Sequence, residues 1–180
     1  MSEVTINNSP VHSDSIITAA YGETGPEWQR FHTGIDFAPY GSTGANPDLY
    51  SVSSGTVYSK GYDNSLGNYI LIEDNNGYFW RYCHMQSSSP LNVGDNVTTL
   101  TKVGVMGDTG NVTGIHLHLE YATTSTWNYD TFLNPATTLG IPNERNTIVH
   151  YSGVIPPTPT YRKSKFKWVL YAKKLRERRI

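Results

Sequence analysis

A single cysteine, Cys83, stands among the 180 residues. One thiol cannot close an intramolecular disulfide, and any bound metal must be held mainly by His, Asp or Glu. Charge is sparse as well, with only 16% of residues ionised. No run reaches the ~18 apolar residues of a membrane span, so no transmembrane helix is expected. Met1 to Ala20 lacks a basic segment followed by an apolar one, and no secretory signal is expected there.

What is plentiful is Tyr, with 13 residues, and Gly, with 16, among many Ser, Thr and Asn. That mixture suits a β-rich domain with many turns better than a helical bundle. The length fits one domain plus an appendage. The net charge of −1 hides an asymmetry: residues 162–180 hold nine of the 14 basic residues and one acid, +8, against −9 for the remainder. Two bodies with different roles are implied.

Turn signals recur every eight to twelve residues from about 40 to 122, the mark of an antiparallel sheet. Ser51 to Tyr58 alternates loosely and reads as a strand. Asn68–Glu73 and Tyr78–His84 flank Asp74-Asn-Asn-Gly77, the strongest hairpin of the chain, since an Asn-Gly step favours positive φ. Val93–Val97 is a second turn and Lys102–Met106 a short strand. The Gly-rich stretch Gly107–Gly114 feeds a strand from Ile115 to Tyr121. Asp130 to Leu139 reads as a short helix, and residues 141–160, with four prolines, as a wrapping arm or linker. From Phe166, the residues Trp168, Tyr171, Ala172 and Leu175 give a helical period for a basic amphipathic segment.

Five polar residues carry the chemistry. In His116-Leu-His-Leu119 the period of two sends both imidazoles to one face of a strand and both leucines to the other. Such a pair can put one nitrogen on a metal and aim the second at substrate, or it can be two half-exposed surface histidines. His32-Thr-Gly-Ile-Asp36 adds a His and a carboxylate on one side of an extended segment. His84 ends a strand on which Trp80 and Tyr82 would share its face, as groove wall or as core. Two His and one Asp complete three ligands for a tetrahedral Zn²⁺ with the fourth position left for water. Two further His remain for proton transfer and hydrogen bonding.

Seven stretches in register resemble the lysostaphin-like zinc metallopeptidases of the bacterial cell wall. They are His32–Ala38, Ser54–Val57, Gly67–Ile72, Tyr82–His84, Val93–Val97, Gly104–Gly107 and Thr109–Gly110 through His116–Glu120. The resemblance covers about residues 17–140. It implies a mainly β fold, duplicated-hybrid-motif-like, with an antiparallel sheet, an open substrate groove, few short helices and, outside the match, a basic tail. It also implies a catalytic domain over 1–140; outside the match, proline content marks an arm at 141–160 and charge marks the tail at 161–180.

By the same resemblance, one Zn²⁺ per chain is bound by His32, Asp36 and His118. Spacing alone does not choose between His116 and His118. His84 and His116 become the non-ligand pair that orients or deprotonates water and steadies the oxyanion, and Tyr21 falls roughly where relatives place an oxyanion-stabilising Tyr. The implied activity is endopeptidase cleavage of stem or cross-bridge peptide bonds in peptidoglycan. The alternatives are an inactive wall-binding module, or a zinc carboxypeptidase or amidase on the same polymer. The tail is expected either to dock on anionic wall polymers or to pack as a helix on the domain's own acidic surface, nucleic acid is not expected, and the setting is the cell wall, extracellular or carried by a phage virion. Two features depart from the family pattern: Leu100-Thr101 where relatives carry Gly-Gln, and a longer connection at 39–50.

Overall fold

The structure is a computed structural model describing residues 1–41 and 44–153. In chain order the strands are β1 (Glu3–Ile6), β2 (Ser15–Ala19), β3 (Gly34–Pro39), β4 (Asp48–Tyr50), β5 (Gly55–Asp63), β6 (Gly67–Asp74), β7 (Phe79–Met85), β8 (Asn96–Val97), β9 (Lys102–Val105), β10 (Leu117–Ala122), β11 (Phe132–Leu133) and β12 (Ile148–Tyr151). One helix, α1 (Pro135–Leu139), follows a single 3-10 turn. The large sheet runs β1-β12-β2-β3-β10-β7-β6-β5-β8, with β11 beside β10, and β4 and β9 form a small second sheet. Neighbours pair antiparallel except β1 with β12.

Alternation along the central strands decides which face is dry. Ile35 and Phe37 on β3, Leu117 and Leu119 on β10, and Trp80 and Tyr82 on β7 are all buried in one cluster. Leu49 of β4 and Val103 of β9 close that cluster from the far side. Burying each large apolar side chain stabilises by roughly 1.5–3 kcal/mol, so a one-residue slip of β10 would strand two leucines in water. The register is therefore firmly set. It leaves Asp36, Arg81, His118 and Glu120 on the opposite face, which lines the groove.

Of the two readings open for Trp80 and Tyr82, the structure gives the core. The sheet departs from the sequence reading in four places. Ser51 to Ser54 is not strand, because the Ser51 hydroxyl donates to the Ser53 carbonyl at 2.7 Å and folds the chain locally. The span from Asp130 to Leu139 is not one helix. Asn134 caps the Ala136 amide and Pro135 opens α1, which forces extended backbone before it, so the strand β11 intervenes. The strand at 115–121 starts later, at Leu117, and His116 makes only a bridge to Gly107. Past residue 140 the chain returns to the sheet as β12, between β1 and β2. The tail at 161–180, with its amphipathic segment, lies outside the described residues.

Candidate metal centre

β3 and β10 pair so that Asp36 lies directly opposite His118. Gly34 makes this pairing close: a Cβ there would sit 2.9 Å from His118 Cε1 and against the Leu119 carbonyl. His32 precedes β3 and is anchored by its own backbone, its N–H donating to Glu23 O at 2.7 Å and its carbonyl accepting from Gly22 N at 2.9 Å. The turn that holds it is tied to the chain's later part. Asn143 accepts from Tyr21 N and donates to Tyr21 O, both at 2.9 Å, and Arg145 grips Glu23.

Three donor atoms converge. His32 Nε2 lies 3.0 Å from His118 Nδ1 and 3.2 Å from Asp36 Oδ1, and His118 Nδ1 lies 2.8 Å from Asp36 Oδ1. Ligands at ~2.0–2.1 Å from a tetrahedral Zn²⁺ stand about 3.3 Å apart, close to these edges. The tautomers agree as well. His32 Nδ1 donates to the Ala20 carbonyl at 2.9 Å, which leaves Nε2 as the lone-pair nitrogen. His118 Nε2 faces Glu120 Oε1 at 3.2 Å, which leaves Nδ1 for the cluster. Two imidazole nitrogens and a carboxylate oxygen around one point are a cation's donor set, and His32, Asp36 and His118 are the one such group among the described residues. The residues present fit zinc.

Burial by itself would keep His118 neutral, but hydrogen bonds to Asp36 and Glu120 and their charges hold its ion-free imidazolium up to about 10. Asp36 is half-buried, which by itself would raise its carboxyl, yet the two imidazoles beside it hold it far below the usual carboxylate range.

The other two histidines stand beside the cluster. The His84 ring centre is 4.8 Å from that of His116 and 5.9 Å from that of His118. His84 Nδ1 donates to Thr109 O at 3.0 Å and His116 Nδ1 donates to Gly114 O at 2.9 Å. Each ring is thereby left with an acceptor Nε2, and that of His116 lies 3.9 Å from Asp36 Oδ2. His84 reaches the groove by an interruption of its strand. Asn68 pairs with Met85 and Ile70 with Tyr82, so β7 carries one extra residue there, and His84 takes φ 59°. The bulge turns His84 away from the face of Trp80 and Tyr82. Burial, with His118 and His116 nearby, pushes its imidazole down to about 4.

Tyr21 is not brought to this cluster. Its hydroxyl donates to the Phe132 carbonyl at 3.0 Å, its ring meets Phe31 edge-on, and it does not line the groove. Three residues without a role in the sequence reading support His118 instead. Glu120, 1% exposed, accepts from Thr33 Oγ1 at 2.7 Å and Arg81 Nη1 at 2.6 Å as well as facing His118. The signal available for Glu120 was its i, i+2 spacing from His118 on the same strand face. Nothing local pointed to Arg81. Trp28, Phe31, Trp127 and Tyr129 give the groove an aromatic wall, and Asp63 and Tyr69 line it as well.

The model of peptidase family M23 matches residues 30–130. Among curated proteins, an uncharacterized metalloprotease of Buchnera aphidicola is 34% identical over 105 residues, 58% of this chain and 25% of its own length. The peptidoglycan DD-endopeptidase ShyC of Vibrio cholerae is 34% identical over 93 residues, 51% of this chain and 20% of its own. The chain thus spans a fifth to a quarter of the length of these relatives. Among solved structures, the catalytic domain of lysostaphin from Staphylococcus simulans superposes with a TM-score of 0.62 at 26% identity, over 70% of this chain and 92% of that one. A zinc-containing peptidase from Vibrio cholerae gives 0.55 at 31% identity, over 66% of this chain and 37% of that one. Matched over more than half its length, and with the donor cluster and both flanking histidines inside or beside the matched strands, the chain belongs to peptidase family M23.

Proposed function

We propose that the chain is a zinc-dependent endopeptidase that hydrolyses peptide bonds in the stem or cross-bridge of bacterial peptidoglycan. The observation that carries this reading is the pair His84 and His116, each held through Nδ1 by a backbone carbonyl beside a three-donor cluster. His32, Asp36 and His118 would hold the zinc, which when bound supplies an acidified water and a Lewis acid for the scissile carbonyl. His84 and His116 present Nε2 lone pairs beside the cluster, suited to take a proton from the attacking water and, once protonated, to donate to the oxyanion or the departing amine. The depressed basicity of His84 keeps it neutral at pH 7. An extended peptide would lie along the groove against the Trp28 and Trp127 wall.

Peptidoglycan is favoured as substrate because ShyC, a relative over half of this chain, is a peptidoglycan DD-endopeptidase. An inactive wall-binding module is disfavoured because all five polar positions are filled. The setting would be the wall outside the cytoplasmic membrane, with the chain extracellular or carried by a virion. The +8 segment at 162–180 would dock on anionic wall polymers there. Mass spectrometry of muropeptides released from purified walls is the deciding test. New amine and carboxyl ends within stems or cross-bridges are expected. Release of terminal D-alanine alone would mean a carboxypeptidase, and cleavage at the glycan lactyl bond an amidase. Deleting residues 161–180 should lower wall binding most at low salt and leave the domain folded.

A further inference from the structure

We propose that Thr109 is a positioning residue that sets His84 in the groove, acting through both its carbonyl and its hydroxyl. The inference rests on the hydrolytic role given to His84 above. Thr109 lies in the Gly107–Gly114 loop, partly buried against the start of β6 and the end of β7. Its carbonyl accepts from His84 Nδ1 at 3.0 Å. Its hydroxyl accepts from Asn68 N at 3.0 Å and donates to Met85 O at 2.7 Å. Asn68 and Met85 are the β6–β7 pair that flanks the bulge containing His84.

The hydroxyl therefore stands in for ladder bonds where the extra residue has opened the strands. Without it, the Asn68 amide would face a methyl group and Met85 O would lose its 2.7 Å hydroxyl donor, with the Asn68 side-chain amide left at 3.2 Å. The bulge could then relax toward regular pairing, which would turn His84 back toward the core. His84 gains a further tie from its own amide, which donates to Leu66 O at 2.8 Å.

The loop can approach this closely because two glycines meet beneath it. Gly67 and Gly110 both take positive φ, 65° and 87°. A Cβ on Gly110 would lie 2.6 Å from Ser65 O and against the Gly67 amide. Asn111 N then donates to Ser65 O at 3.1 Å, fastening the loop one residue past the glycine. These contacts hold Thr109 in place from below, and Thr109 in turn holds the imidazole. The carbonyl fixes the tautomer and the hydroxyl fixes the backbone that carries the ring.

The test compares Thr109→Val, which keeps the shape and loses the hydroxyl, with Thr109→Ser, which keeps it, in the zinc-loaded full chain. Expected for Thr109→Val are an unchanged zinc content, a KM close to that of the parent, and a kcat lower by about tenfold or more, since small displacements of a reacting group are costly. Thr109→Ser should retain most of the turnover. Full turnover by Thr109→Val, or equal damage in both variants, would overturn the proposal. An independent readout is the imidazole ¹⁵N spectrum of the parent protein, in which His84 should carry its proton on Nδ1. Protonation on Nε2 alone would also overturn it, even if Thr109→Val failed to fold. If the parent protein cleaved no peptidoglycan, the functional reading would fall, and the tautomer of His84 would still decide whether Thr109 positions it.

Discussion

His118 and Asp36 face each other across paired strands, with Nδ1 2.8 Å from Oδ1, although 82 residues separate them in the chain. Two stiff strands, and not a loop, set the spacing of the first two proposed ligands. His32 is the third, delivered by a turn that other contacts must hold.

Because of that arrangement, replacing a ligand and replacing its neighbour should have different consequences. His118→Ala should lose zinc, measured by elemental analysis of the purified protein. His116→Ala should retain about one zinc per chain and lose about 10²–10⁴ in kcat, the usual range for a positioned proton-transfer group. Full activity in both variants would sink the assignment.

Glu120 is expected to matter through charge it hides. Removing it leaves Arg81 buried without its partner, and breaking such a pair costs roughly 3–5 kcal/mol. Glu120→Ala should lower the denaturant midpoint accordingly and weaken zinc affinity by about 10–100-fold, because His118 loses the acceptor that orients it. The double variant Glu120→Leu with Arg81→Met should recover part of the stability but not the zinc affinity.

Zinc uptake should release a proton. The ion-free His118 imidazole is held up to about 10 by Asp36 and Glu120 against the effect of burial, so it is protonated at pH 7. Coordination through Nδ1 displaces that proton. Titration calorimetry at pH 7 in buffers of different ionisation enthalpy should show about one proton released per zinc. Zero release would contradict the charged state of the ion-free site.

Far from the groove, His12 is sandwiched between Tyr50 and Tyr151, with ring centres 3.7 and 4.0 Å away and planes within 5°. Burial there pushes its imidazole down to about 4. Its folded pKa lies below the unfolded value of ~6.5, so between those values only the unfolded chain takes the proton. Stability should therefore fall as pH drops from about 6.5 to 4, and His12→Phe should flatten that part of the profile. Thermal melts at constant ionic strength would show a parallel profile for both proteins if His12 has no part in it.

Much of this architecture could be read from local pattern. The Asp74–Gly77 hairpin, the core leucines of β10 and the facing pair of histidines all follow from alternation and turn chemistry, which depend on neighbours in sequence. What escaped depends on distant partners. The bulge at His84 inserts one residue into a regular period, and the hydroxyl that bonds both flanking residues comes from Thr109, distant in sequence. The buried network of Thr33, Arg81 and Glu120 joins three strand regions whose separate sequences give no hint of it. Residues 148–151 looked like part of a proline-bearing arm because a four-residue strand between two others needs little periodicity of its own.

Gly34 has a consequence for how this site can vary. With the Leu119 carbonyl and the His118 ring already filling the place of a first side-chain carbon, even alanine at position 34 would wedge β3 from β10. The displacement would enlarge the distance between a carboxylate and an imidazole that share one strand boundary. A single absent methyl thus acts as the gauge for the ion's diameter, and selection for catalysis would reach this spacer through volume before it reached it through charge.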